Sequence, residues 1–144
     1  MDITLPTNLP SGERRTTLVR LAPSQPPTIT SVLLGAACAV FTNGLYKEGG
    51  CVPAERDLHV PFSMRPMSVV GAIKYAAGGD PHAESLLADN VIALVAVALR
   101  PAHPYGDIIA LEELVDGWGS EPDLSGDDVV TFLERLASSS ERAA

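Results

Sequence analysis

Cys51, Asp57 and His59 fall within one short stretch of the chain, and a thiol beside an imidazole is the pairing a cysteine nucleophile needs. Such a site also needs a third group to orient the histidine and donors for an oxyanion. No third group and no glycine motif of that kind accompanies these residues, so the stretch reads as a loop that carries a cysteine. Zinc requires three or four ligands, usually in close pairs. The candidates Cys38, Cys51, His59, His82 and His103 form no C-x-x-C or H-x-x-x-H pair. Glu121-Pro-Asp-Leu-Ser-Gly126 matches the first half of a calcium loop, with acids at the first and third positions and glycine at the sixth. The second half fails, because the place of the bidentate glutamate is taken by Phe132 and the apolar position by Asp128. No P-loop, G-x-G-x-x-G or G-x-S-x-G is present. The expectation is no metal, no cofactor and no catalytic residue, and whether the chain is an enzyme stays open.

Charge gives a stronger signal. Residues 1–80 hold seven Lys and Arg against six Asp and Glu, whereas residues 81–144 hold three against twelve. From Asp107 to Asp128 there are eight acids and no base. A phosphate-binding surface needs clustered Lys and Arg, so direct nucleic-acid binding is not expected. Asp107, Asp127 and Asp128 suit the first turns of helices, where the dipole favours anions. Glu112, Glu113, Asp116, Glu121 and Asp123 have no such role, and they border Trp118, the lone tryptophan. An acidic rim around one aromatic is expected to face a basic protein partner, and these six residues are the candidate interaction site. The simplest alternative for the acids is a solvated face, and for Trp118 a lid on the core.

These residues must be positioned by helices. Residues 1–29, with Pro6, Pro10, Pro23, Pro26 and Pro27, read as an extended arm containing one short strand at Thr16–Leu21. A first helix is predicted over Ser31–Asn43, capped by Thr30 or Ser31 and ended by Gly44. A second runs from about Pro66 to Ala77, ended by Gly78-Gly79. Asp80 and Pro81 offer a cap and an N1 residue for a third, which continues through Leu99. A fourth covers Asp107 to Gly117. The fifth starts at Ser125, with Asp128 as the reciprocal partner of a capping box and Leu124 and Val129 as a hydrophobic staple. The tail from Ser138 to Ala144 is expected to fray.

The stretch Val91-Ile-Ala-Leu-Val-Ala-Val-Ala-Leu99 decides the architecture. A membrane span needs about 20 apolar residues, and this run has nine. A helix apolar all round belongs at the centre of a core. The first helix is equally apolar, so the excess implies homodimerisation or a partner surface. The helix pair joined by Gly78-Gly-Asp80 is not a DNA reader, because its second helix opens on Pro81, His82 and Glu84 before a wall of aliphatics. Gly35, Ala36 and Ala39 on the first helix, and Gly71, Ala72 and Ala76 on the second, allow close backbone approach. The N-terminus has no apolar core of a signal peptide, and two cysteines are too few for a disulfide scaffold. A cytoplasmic location is expected.

Val70-Gly-Ala-Ile-Lys-Tyr-Ala-Ala-Gly78, Trp118, and Ser125-Gly-Asp-Asp-Val129 followed by Leu133 resemble a family of small uncharacterised helical proteins from actinobacteria. Its pattern is an alanine-rich first helix, a cysteine-containing loop, a V-G-A-[IL]-x-x-A-A-G helix, a Trp, and a final helix of the type [ST]-x-x-[DE]-V-x-x-x-L. This chain has Gly119-Ser120 where that family often has Asn-Asp, and Ser68 where it tends to place a Cys. The likeness spans residues 30–137 and implies a fold but no activity.

The resulting expectation is an all-α protein: a compact single-domain bundle of about five helices around a fully apolar central helix. The domain covers 30–137, with the Pro-rich arm before it and the tail after it. Its expected function is a non-catalytic protein–protein interaction or regulatory module. The alternatives are an acidic nucleic-acid mimic that occupies a DNA-binding partner, and an enzyme of unrecognised type.

Overall fold

The computed structural model describes residues 26–53, 59–101 and 106–142 with their side chains, and the backbone of 2–8, 14–20 and 143. His103, Asp57 and Leu58 lie outside the described residues, as do the linkers on either side of the second strand. Residues Asp2–Asn8 (β1) and Arg14–Arg20 (β2) form an antiparallel ribbon in which Asp2 pairs with Arg20 and Asn8 with Arg14. The sequence pointed to one strand in an extended arm. The second was not foreseen, and its Pro6 lies in β1 opposite Thr16. Both strands of a two-stranded ribbon are edges, and an edge tolerates proline.

Beyond the ribbon the fold is all-α, with five helices: α1 (Ile29–Asn43), α2 (Val69–Gly78), α3 (Leu86–Leu99), α4 (Ile108–Gly119) and α5 (Gly126–Ala143). Caps set most of their boundaries. α1 starts two residues before the predicted Ser31, because Thr28 and Ser31 bond reciprocally across the first turn. α2 starts at Val69, where Ser68 accepts the Gly71 N–H. α3 does not begin at Pro81: Asp80 closes its own turn by accepting the His82 N–H, and Ser85 caps the helix by accepting from Ala88. The Ser125–Asp128 box is present in both directions, at 2.9 and 3.1 Å. α5 then runs on to Ala143, past the predicted fraying point.

The core is aliphatic, as seven aromatics in 144 residues require. α3 packs against each of the other four helices and contributes Ala88, Val91, Ile92, Val95 and Ala96, all buried. It is the central helix, but not a fully enclosed one: Leu86 and Val97 are exposed and Leu94 is only partly buried. α1 lies between α5 and α2. Gly35 lets it approach α2 so closely that a Cβ there would sit 3.0 Å from the Ala76 Cβ. Among the described residues no helix is long and apolar enough to cross a membrane.

Candidate functional site

α2 and α4 run antiparallel, and two pairs of residues one turn apart meet across them. Val70 donates its N–H to Asp116 Oδ1 at 2.9 Å. Four residues later on α2 and four earlier on α4, Lys74 Nζ meets Glu112 Oε1 at 2.5 Å. Lys74 is the one charge in Val69–Gly78, and its side chain is 9% exposed. A charge that deep needs a partner, and Glu112 provides it. Burial works against the lysine's charge, but the hydrogen bond and the charge of Glu112 outweigh it and hold the ammonium above its usual value.

Asp116 performs a cap from outside its own helix. The N–H groups at the start of α2 have no partner within that helix. Ser68 takes Gly71, and Asp116 takes Val70. The loop before α2 is drawn into the same corner: Tyr46 donates to the Met67 carbonyl and Ser68 to the Cys51 carbonyl, each at 2.9 Å. Gly71 accommodates this loop, since a Cβ there would lie 2.7 Å from the Cys51 carbonyl oxygen. The Ser68 hydroxyl thus faces both the Asp116 carboxylate and the Cys51 thiol. Burial pushes the Asp116 carboxyl above the usual carboxylate range, against the pull of its Val70 and Ser68 hydrogen bonds. Burial first, and Asp116 next, push the Cys51 thiol up as well. A thiol held protonated is a poor nucleophile. His59 is exposed in its own turn, and the charges that act on Cys51 are those of Asp116, Lys74 and Glu112. Among the described residues no three His, Cys, Asp or Glu converge on a common point for a metal.

The six candidate residues therefore divide. Glu112 and Asp116 turn inward and hold α4 on α2. Asp107 and Asp128 are caps, accepting from Ala110 at 3.0 Å and from Ser125 at 2.9 Å. The span without a base in sequence gains two bases in space, Lys74 and Lys47. Lys47 donates to the carbonyls of Glu121, at 2.8 Å, and Leu124, tying down the α4–α5 connection. The acidic side chains of Glu113, Glu121 and Asp123 stay exposed.

Trp118 is a lid on the core that also borders open surface. Its ring rests on Phe132 of α5, with centroids 4.9 Å apart and planes at 53°, and it is half-buried against the core. Its other side lines an open groove of about 750 Å³ between the end of α3 and α4. Leu99, Ala110, Leu114 and Trp118 form the apolar part of the groove, Glu113 and Glu121 its acidic part, and Arg100 stands at the α3 end. Glu113, Trp118 and Glu121 come together here, whereas Asp123 is exposed beyond the groove. Sequence reasoning missed Leu99, Arg100, Ala110 and Leu114 as neighbours of this site, because it takes a tertiary contact to bring α3 alongside α4.

The comparisons add a family but no activity. A family model described as a family of unknown function (DUF6197) matches residues 24–139. No match is found among curated proteins or among solved structures.

Proposed function

The chain belongs to that family of unknown function, DUF6197, and we propose that it is a non-catalytic interaction module that holds a basic, partly apolar segment of another protein in the α3–α4 groove. One observation carries this reading: the groove at Trp118 offers aliphatic and indole surface between the exposed carboxylates of Glu113 and Glu121, which form no ion pair with another of the described residues. Apolar area provides the attraction, and the Glu113 and Glu121 charges select a Lys- or Arg-bearing partner and speed its approach. A tryptophan in such a place is the residue whose contacts count most. The nucleic-acid mimic is less well supported. Four of the eight acids in 107–128 are committed to caps or to Lys74, which leaves too few for a phosphate-like ladder.

Trp118 is the single tryptophan, so its fluorescence reports the groove directly. A titration with an amphipathic Lys- and Leu-containing peptide is expected to shift and saturate the emission. Affinity should fall as salt rises, and fall about tenfold in a Glu113→Gln/Glu121→Gln variant. An emission spectrum unchanged by millimolar peptide at low salt would reject the reading.

A further inference from the structure

The outer side of α1 has no partner within the described residues. Leu34 is 47% exposed and Phe41 74% exposed, with the free thiol of Cys38 between them. The three residues follow at i, i+4 and i+7, the spacing of a seam along one helix face. They line a shallow cleft with Ala37, Val130 and Glu134, so the stripe and the edge of α5 form one continuous surface. Its ends are the exposed, uncharged Ser31 and Thr42.

We propose that this face pairs with a second copy of the same chain, α1 against α1 in antiparallel sense, with the twofold axis beside Cys38. Two features select this occupant. The first is the order of side chains along the seam. A small residue sits at the middle and one large apolar residue lies about a turn away on each side. A twofold axis on the Ala37 side of Cys38 therefore sets Leu34 of one copy against Phe41 of the other, twice, and leaves the two Cys38 thiols close together. An isologous contact requires this kind of self-matching.

The second feature is charge. The chain carries a net charge of −8, and two copies repel each other over most of their surfaces. The Ile29–Asn43 helix has no charged residue. On α5, Glu134 borders the cleft and shares the adjoining surface with Arg135 and Arg142. Glu134 is the single charged residue among those lining the cleft on an otherwise acidic protein, so a basic partner gains little here and a second copy meets little repulsion. The α3–α4 groove lies elsewhere, between other helices, and pairing through α1 leaves it open on each copy.

Sedimentation equilibrium of the full chain at micromolar concentration is expected to give twice the 15.1 kDa monomer mass. A short bis-maleimide should cross-link the parent into a covalent dimer, and Cys38→Ser should abolish that product while Cys51→Ser leaves it. Leu34→Glu and Phe41→Glu alter side chains already exposed, so circular dichroism of each variant should match the parent. Each should raise the dimer dissociation constant by about tenfold or more. A parent that sediments as a monomer over the whole range overturns the proposal, whatever else covers the stripe. So does a dimer that both Glu variants leave intact, or one that does not cross-link through Cys38.

Discussion

Replacing Asp116 with Ala removes the acceptor of the Val70 N–H at the start of α2, and a calorimetric melt is expected to show a loss of about 1–3 kcal/mol. Asp116→Asn keeps an oxygen in that place and should melt within about 1 kcal/mol of the parent. The pH dependence separates the two explanations of the site. The folded protein holds this carboxyl above the usual carboxylate range because it is buried, so it binds its proton more readily than the unfolded chain does. This group therefore adds stability as pH falls through the raised value toward the ordinary one. Asp128 acts in the opposite sense. Hydrogen bonds from Ser125 hold it low, so its contribution is present above the unfolded value and is lost as pH falls through the folded one. The Asp116→Asn variant should lack the first effect and keep the second, and a pH series of melts measures both. An unchanged profile would mean that Asp116 does not titrate where its burial implies. The sequence set Glu112 and Asp116 on a rim facing a partner, and their inward turn was not read from it, although Lys74 is a lone charge on an apolar helix. That turn needed the antiparallel register of α2 on α4, which no local pattern encodes.

Among the elements, the start of α5 was the most readable boundary, whereas the equally reciprocal Thr28–Ser31 box of α1 was missed by two residues. Ser125 and Asp128 sit three residues apart with apolar flanks, and the box they form is intact. Ser125→Ala should cost about 1 kcal/mol, seen as a lowered melting temperature; an unchanged melt would show that the box contributes nothing. The start of α3 was misread for a physical reason. Asp80-Pro81 carries all the signs of a helix start, but the Asp80 carboxylate is spent within its own turn, and Ser85 takes over the capping five residues later. Periodicity placed α3 correctly at the centre but could not say which of its sides faces out, because every side is apolar. Ile92 is 0% exposed, whereas Leu94 is only partly buried. Ile92→Ala should therefore cost about 2–5 kcal/mol through lost burial and a cavity, and Leu94→Ala distinctly less. Equal losses in urea unfolding would contradict this orientation of the helix. The β1–β2 ribbon was half legible: a strand was expected at Thr16–Leu21, close to β2, and none at β1.

Across the whole molecule, acidity is arranged by region. Acids near α2 are consumed by Lys74 and by the Val70 N–H, α1 carries no charge, and the side chains of Glu113, Glu121, Asp123 and Asp127 stand in solvent. Like charges one or two turns apart cost a few tenths of a kcal/mol per pair at low ionic strength, and salt screens them over about 10 Å at 0.1 M. Among the described residues no hydrogen bond or ion pair uses the carboxylates of Glu113 and Glu121, so removing their charge should relieve repulsion. The Glu113→Gln/Glu121→Gln variant is expected to melt at or slightly above the parent in low salt, by about 0.2–1 kcal/mol. The difference should vanish near 0.5 M salt, where screening falls to a few ångströms. The same variant should lose peptide binding in the Trp118 groove. Stability and binding would then move in opposite directions on one pair of residues, the trade expected where surface charge serves a partner rather than the fold. If the variant instead loses stability in low salt, Glu113 and Glu121 are structural, and the groove loses its claim to be a binding site.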